Sequence, residues 1–460
     1  MAFESVLSQI RFGDGLSPRF QGPQSVEDML ALLSGEDIGR LEAVGVARER
    51  EIETRFQFKA LLKERRLQKG KPGYDAAQET YEAFRQKANR QRVKNIGMEI
   101  LRRAQAPDGF RERLVGFWAD HFTVRAKSQE TRLIVAAYAQ DAIRPHITGK
   151  FEDLLFAAVT DPAMLDYLDQ DESYGPNSVA STKGKKPRGL NENLAREVME
   201  LHTLGVDGPY SQGDVRQLAE LFTGLSINKE GRYAFNARMA EPGDETVLGT
   251  DYGPSKDDAA IRDVLTDLAR HPATAAHIAR KLTVHFVSDT VDAALVDHMT
   301  ARYLATGGDL LAVYSAMLEH PGAWQPELAN VKPPFDYLVS SLRALDVPLA
   351  QMSDLSVKQA NSWFVRPLLR MGQEWERPNG PDGWSEADVD WITPQGLAER
   401  MEWAIRVPAE VRPDLPDPSA FALQTLDHYA SPAVKFAASA AETQSEAIGL
   451  VLLSPAFQRR

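Results

Sequence analysis

The chain has 460 residues, 43% of them hydrophobic and 26% charged, with 53 Lys/Arg against 65 Asp/Glu and a formal net charge of −12. That is the composition of an ordinary folded protein, and its acidic balance excludes sequence-independent binding of nucleic acid, which needs a basic surface. There is no cysteine, so disulfides, thiolate metal sites and cysteine nucleophiles are excluded as well.

The start, "MAFESVLSQIRFGDGLSPRF", lacks the basic region, apolar core and small-residue cleavage site of a secretory signal. No stretch approaches the roughly 18 apolar residues of a membrane span. The expectation is therefore a cytoplasmic protein by default, with no membrane span and with export alongside a partner as the other route. "SVEDMLALLS" opens at Ser25 with acids in its first turn, a helix start. "EIETRFQFKALLKERRLQKG" is charged and helix-favouring, and stops at Gly70, Pro72 and Gly73. The next helix runs through "DAAQETYEAFRQKANRQRVKNIGMEILRRAQ". Residues 51–100 hold twelve Lys/Arg and seven Asp/Glu, a local excess of positive charge in an acidic chain. It reads as a solvated helical surface, or more sharply as a surface for an anionic partner.

"DGFRERLVGFWADHFTV" sets Leu114, Phe117, Trp118, His121 and Phe122 on one helical face. Buried helices follow in "TRLIVAAYAQDAIRPHI" and "FEDLLFAAVTDPAMLDYL", then a Gly/Pro-punctuated loop over residues 171–190. After the helix "SQGDVRQLAELFTGL", "GRYAF" and "ETVLG" are the only strand-like segments, a short β-hairpin around 232–249. Helices resume through "AAHIARKLTVHFV", "DLLAVYSAMLEH" and "PFDYLVSSLRAL". Residues 372–395 form a long irregular stretch, of a length that is often functional. The fold class is all-α, a large multi-helix unit with at most one small hairpin. Its sub-regions are an N-terminal helical arm (1–105), a helical core (106–330), and C-terminal helices with a Trp-rich loop (331–460).

The densest chemistry lies in "NENLAREVMELHTLG", residues 191–205. On a helix, Leu194, Val198 and Leu201 form an apolar seam, with Asn193, Glu197 and Glu200 along one flank. Glu197 lies nearest the seam, so it is half-buried and must be paired or exchange protons. Arg196 is four residues from both Glu192 and Glu200, which accounts for those pairs without a function. Glu197, Glu200 and His202 superficially suggest metal ligands, but His202 falls about 140–160° around the helix from the two glutamates. No metal and no cofactor are expected. The natural partner for Glu197 is His121, on its aromatic face. The pair is either a satisfied core histidine with its carboxylate or an acid/base couple.

Five of the seven tryptophans, Trp363, Trp375, Trp384, Trp391 and Trp403, fall within 41 residues. Trp375, Trp384 and Trp391, in a loop rich in acids, suit a glycan by stacking, or else they anchor the loop to the core. The loop "STKGKKPRG" offers Lys183, Lys185, Lys186 and Arg188 to an anionic ligand, or is simply solvated.

These stretches carry a family resemblance. In order, "FWADHFTV", "RPHITGKFEDLL", "DPAMLDYLD", "NENLAREVMELHTLGV", "GGDLLAVYSAMLEHPGAW", "VKPPFDYLVSSLRAL", "MGQEWERPNGPDGWSEADVDWITP" and "LLSPAFQRR" resemble the bacterial family called domain of unknown function 1800. The resemblance spans nearly the whole chain and implies one family-sized helical unit over residues 1–460. It implies no established reaction. It suggests a neighbouring protein resembling sulfatases and alkaline phosphatases as partner. Where the family pattern has a His-Asp pair before "TVLG", this chain has Ala240 and Glu241, and His202 stands where an aromatic residue is common. The functional expectation is a hydrolase- or lyase-type enzyme acting on an extracellular polymer such as a glycan. Its catalytic residues would be Glu197, His121, Glu200 and Asn193. Trp375, Trp384, Trp391, Arg196, Lys185 and Arg188 would bind substrate. The alternative is a non-catalytic helical scaffold that binds its neighbour.

Overall fold

The computed structural model of the protein describes residues 3–38, 48–127, 135, 137–183, 189–254, 256–348 and 354–460. Helices begin where local chemistry offers a cap for unpaired backbone N–H groups. Ser25 caps Val26–Ser34, Asp108 caps Gly109–His121, and Ser211 and Asp214 form a reciprocal capping box on Gln212–Leu221. Proline at the first helical turn, where its missing N–H is no loss, opens Pro272–Phe286, Pro394–Val411 and Pro418–Leu426.

Two hydrophobic cores carry the body. The first gathers Trp118, Phe122, Phe151, Leu194, Val198, Phe286 and Tyr314. The second gathers Ile96, Ile100, Leu338, Phe364, Trp403 and Ile448. The 31-residue helix Tyr74–Ala104 serves both the body and the arm. Its C-terminal half packs Val93, Ile96 and Ile100 into the second core. Its N-terminal half pairs with Arg48–Gln68 around a small separate cluster centred on Phe58 and Tyr81.

Buried charge stitches the seam between the cores. Arg103 spans Asp14 (2.6 and 2.9 Å) and Asp336 (2.9 Å), and Arg460 also reaches Asp336. Arg102 and Arg144 close on Glu112 at 2.6–2.9 Å. Burying such charges is tolerable only because every one is paired.

"GRYAF" and "ETVLG" both contain strands, but they do not pair with each other. Leu225–Ile227 (β1) pairs antiparallel with Tyr233–Phe235 (β2), and Glu245–Val247 (β3) pairs with Thr250–Tyr252 (β4). The second hairpin closes through Leu248 and Gly249, both at positive φ (50° and 81°), which is the two-residue turn that matches strand twist. Asp214 holds the Leu248 N–H at 2.8 Å and fixes that turn to the preceding helix. No described helix is long and apolar enough to cross a membrane.

Candidate functional site

Two helices of the first core meet along complementary stripes. On Gly109–His121, Arg113, Phe117 and His121 lie four residues apart and share a face. On Pro272–Phe286, His277, Lys281 and His285 do the same. The stripes run antiparallel. Arg113 donates to His285 Nε2 at 2.9 Å, the Phe117 and His285 rings lie 5.1 Å apart, and the His121 and His277 rings lie 6.2 Å apart.

The Trp-rich loop closes over one end of this seam. Because Arg113 can only donate, His285 Nε2 must accept, which places the ring proton on Nδ1. That nitrogen donates to Glu386 Oε1 at 2.7 Å. Arg113, His285 and Glu386 therefore form a directed chain ending on a carboxylate that is 28% exposed. Next to it, the backbone N–H of Trp384 donates to both oxygens of Asp120, at 3.0 and 3.2 Å. The approach is close enough that a Cβ on Gly383 would lie 2.6 Å from an Asp120 oxygen, and Gly383 has a φ of +84°. Only glycine fits there.

Asp120, His285 and Glu386 line a cavity of about 210 Å³ at the seam between the cores. Its walls include the aromatic rings of Phe117, Phe335, Trp375 and Trp384. Trp375 stacks on Phe335 with ring centroids 3.7 Å apart. Clefts between packed units are a common place for ligand sites.

The two carboxylates are pushed in opposite directions. Burial, reinforced by the Glu386 charge, raises Asp120 to about 7 against the pull of the Trp384 N–H and Lys281. Burial also works upward on Glu386, but the His285 ring that donates to it, with the positive charges of Arg460 and Lys281, outweighs it and holds Glu386 below its ordinary value. His285 itself is lowered to about 4 by burial, so it is neutral at pH 7. Burial lowers Lys281 too, opposed by Asp120, Glu386 and Asp382. A carboxyl poised near neutrality beside one that stays ionised is the arrangement that divides acid and base roles.

The expected pairing of His121 with Glu197 is not made. His121 is buried, its Nε2 donates to the His202 carbonyl at 3.1 Å, and its Nδ1 has no partner. Burial, with Lys281 next, drives its basicity well below the usual histidine range. The reason lies in the Glu197 helix. After Asn193–Glu197 the chain widens into a π turn over Val198–His202, and the His202 carbonyl at its end accepts from His121 Nε2, the donor that the pairing needed. His202 is thereby buried against Phe122, with ring centroids 5.0 Å apart, in the aromatic setting that the family pattern implies for its position. Glu197 is half-buried and raised to about 7, by burial first and then by Glu200, with Asp382 of the Trp-rich loop adding to the effect. Asp382 also acts on Asp120, but Glu197 is not among the residues that line the cavity.

The neighbours of Glu197 are engaged elsewhere. Arg196 bonds Glu200 at 3.1 Å and Glu192 at 3.4 Å, as its four-residue spacing implies, and also Gln212 at 3.0 Å. Asn193 is exposed, its backbone N–H held by the side chain of Asn191. Among the described residues, no group of three or more His, Asp or Glu is placed to hold a metal ion. Glu241 accepts from Asn177 at 2.5 and 2.9 Å, tying down the loop before the Glu197 helix.

The Trp-rich loop divides its tryptophans. Trp375 and Trp384 line the cavity. Trp391 does not face it: the ring is buried and its Nε1 donates to Ser385 at 2.9 Å, anchoring the loop. Trp363 and Trp403 are likewise anchors, with Trp403 Nε1 bonded to the Trp363 carbonyl at 2.7 Å. Lys185 and Arg188 lie outside the described residues.

Asp120, Lys281, His285 and Glu386 were not singled out from the sequence. The available signal was the four-residue repeat of basic side chains at His277, Lys281 and His285 along one helix. Asp120, adjacent to His121 in "FWADHFTV", is a charged residue bounded by aromatics.

A family model described as "Protein of unknown function (DUF1800)" matches residues 21–459. No curated protein and no solved structure matches the chain.

Proposed function

The chain belongs to the DUF1800 family, and for it we propose acid/base catalysis of hydrolase or lyase type on a polymer such as a glycan, at the cavity beneath the Trp-rich loop. The observation that carries this reading is the opposed behaviour of two carboxylates lining one cavity, Asp120 raised to about 7 and Glu386 held down by His285. In a hydrolysis, the Asp120 carboxylic acid gives its proton to the leaving-group oxygen as the bond to carbon breaks. Glu386 takes a proton from the water whose oxygen forms the new bond. His285 and Arg113 orient Glu386, and the Asp120 carboxyl is fixed by the Trp384 N–H. Trp375 and Trp384 offer faces on which a sugar ring stacks. Glu197, half-buried and influenced by Asp382, lies outside the cavity lining and takes no part in the reacting centre of this reading.

The test is a reducing-end assay of the purified protein against a panel of polysaccharides, with nitrophenyl glycosides alongside. The expected result is turnover in a bell-shaped pH profile, reduced about 10²–10⁴-fold in Asp120→Asn and Glu386→Gln variants that stay folded. Turnover that survives both substitutions overturns the assignment.

A second reading, a helical scaffold that binds a sulfatase- or phosphatase-like neighbour, draws on a different surface. On Pro394–Val411, Leu397, Met401 and Ile405 repeat every four residues and are 38%, 54% and 44% exposed. A partly exposed apolar stripe of this kind suits a protein partner. Copurification with that neighbour, lost on Met401→Glu, is its test.

A further inference from the structure

We propose that Asn95 is a specificity-determining residue of this cavity, and that it reads the carbonyl of an acetamido group on a sugar stacked against Trp375. The inference rests on the reading above for the glycan in the cavity and names the class of sugar, and the two can fail separately.

Asn95 lies on Tyr74–Ala104 and lines the cavity. One turn earlier on the same helix, Arg92 holds Glu376 at 3.0 Å and the Trp375 carbonyl at 3.3 Å, which sets Trp375 beside Asn95. Phe335 covers one face of the Trp375 indole, and the indole still lines the cavity. A sugar ring stacked on it comes within reach of the Asn95 side chain.

The Asn95 amide is only half matched within the protein. Its Oδ1 accepts from Gln91 Nε2 at 2.9 Å, while its Nδ2 is buried and has no hydrogen-bond partner. A buried donor left unpaired is costly, so this wall favours a ligand that accepts from it. Arg103 and Glu112, which line the same cavity, are closed into ion pairs with Asp14, Asp336, Arg102 and Arg144, so neither is left to fix a charged ligand.

With Oδ1 occupied, the match for Asn95 is an acceptor that brings no proton of its own. A hydroxyl brings one, and among apolar neighbours such as Ile96 and Phe335 that proton stays unpaired; a carbonyl has none. An acetamido group offers such a carbonyl, and its methyl suits the apolar wall. Its N–H finds an acceptor in Glu99, one turn further along the same helical face and also lining the cavity. Arg102 fixes the Glu99 carboxylate at 2.5 and 2.9 Å.

The experiment is calorimetric titration of the full chain with N,N′,N″-triacetylchitotriose and with cellotriose, which carries hydroxyls at the acetamido positions. The acetylated trimer is expected to bind about tenfold more tightly or better. Asn95→Asp and Asn95→Leu, both close in volume and both without the donor, are expected to weaken it about tenfold and to change cellotriose by less than about twofold. Asn95→Leu is also expected to melt no lower than the wild type, because it removes the unpaired amide. Equal binding of the two trisaccharides, no binding of either at millimolar concentration, or a preference that survives in a folded variant overturns the proposal. Turnover of glycans without acetamido groups, lost in Asp120→Asn, by a protein with no preference for the acetylated trimer overturns this inference alone. Asn95-dependent binding of the acetylated trimer with no turnover of any glycan overturns the acid/base reading alone.

Discussion

Replacing Asp120 with Asn removes a charge and almost no volume, so its effect on stability isolates what ionisation costs in the folded protein. The carboxyl is raised from 3.8 to about 7, chiefly by burial. At about 1.4 kcal/mol per pH unit, that makes the ionised form roughly 4 kcal/mol more costly in the folded chain than in the unfolded one. For a raised acid the sign is fixed. Its contribution is intact below the unfolded value and is lost as pH climbs toward 7. Between pH 5 and pH 8 the wild type therefore loses on the order of 3 kcal/mol through this group, and the Asn variant does not. Against that, Asn keeps one acceptor for the Trp384 N–H and gives up the second, a loss of about 1 kcal/mol. The two proteins should be near parity at pH 5, where the wild type has already lost part of this contribution, with Asp120→Asn ahead by about 3 kcal/mol at pH 8. Urea unfolding at both pH values measures the gap directly, because all other titrating groups are shared. A gap that does not change with pH, or a variant weaker by 1 kcal/mol or more at pH 8, refutes the reasoning.

Glu112 is the opposite case: burial would raise it, but Arg102 and Arg144 outweigh burial and hold it far below the usual range. Glu112→Gln leaves both guanidinium groups without their shared partner and should cost about 3–5 kcal/mol at pH 7. The deficit should close as pH falls below about 4, where the wild type loses the same interaction, and denaturant melts across that range check it. Gly383→Ala adds a Cβ 2.6 Å from the Asp120 carboxylate at a φ of +84°, so a loss of about 1–3 kcal/mol is expected; an unchanged melting temperature would remove the tight loop contact from the picture. Glu197, raised to about 7 by burial, Glu200 and Asp382, loses its stabilising influence as pH rises toward 7. Glu197→Gln should thus melt no lower than the wild type at pH 8, and a drop of many degrees would make Glu197 a structural clamp.

Much of this architecture is readable from local chemistry. Ser25, Asp108 and Ser211 announce helix starts because a cap is satisfied within three residues. Arg196 pairs with Glu192 and Glu200 because helix geometry alone brings them together. The family resemblance extends that reading over residues 21–459. What was not legible depends on contacts distant in sequence or on departures from regular geometry. A wheel of 3.6 residues per turn cannot show the π turn at Val198–His202, whose last carbonyl takes the His121 Nε2 donor in place of Glu197. The link from His285 to Glu386 spans 101 residues, and that from Asp120 to Trp384 spans 264. Among the tryptophans, composition marks the loop but not which rings face inward. Trp391 and Trp384 differ in role because the Trp391 N–H finds Ser385.

The central claim is that Asp120 holds its proton near neutrality while Glu386 beside it is ionised. Carbon-13 NMR titration of the aspartate carboxyl signals, with the Asp120 signal identified by its absence in Asp120→Asn, measures this directly. A midpoint close to 7 is the expected result. A midpoint near 3.8, the ordinary value, would contradict it and leave the cavity without its acid.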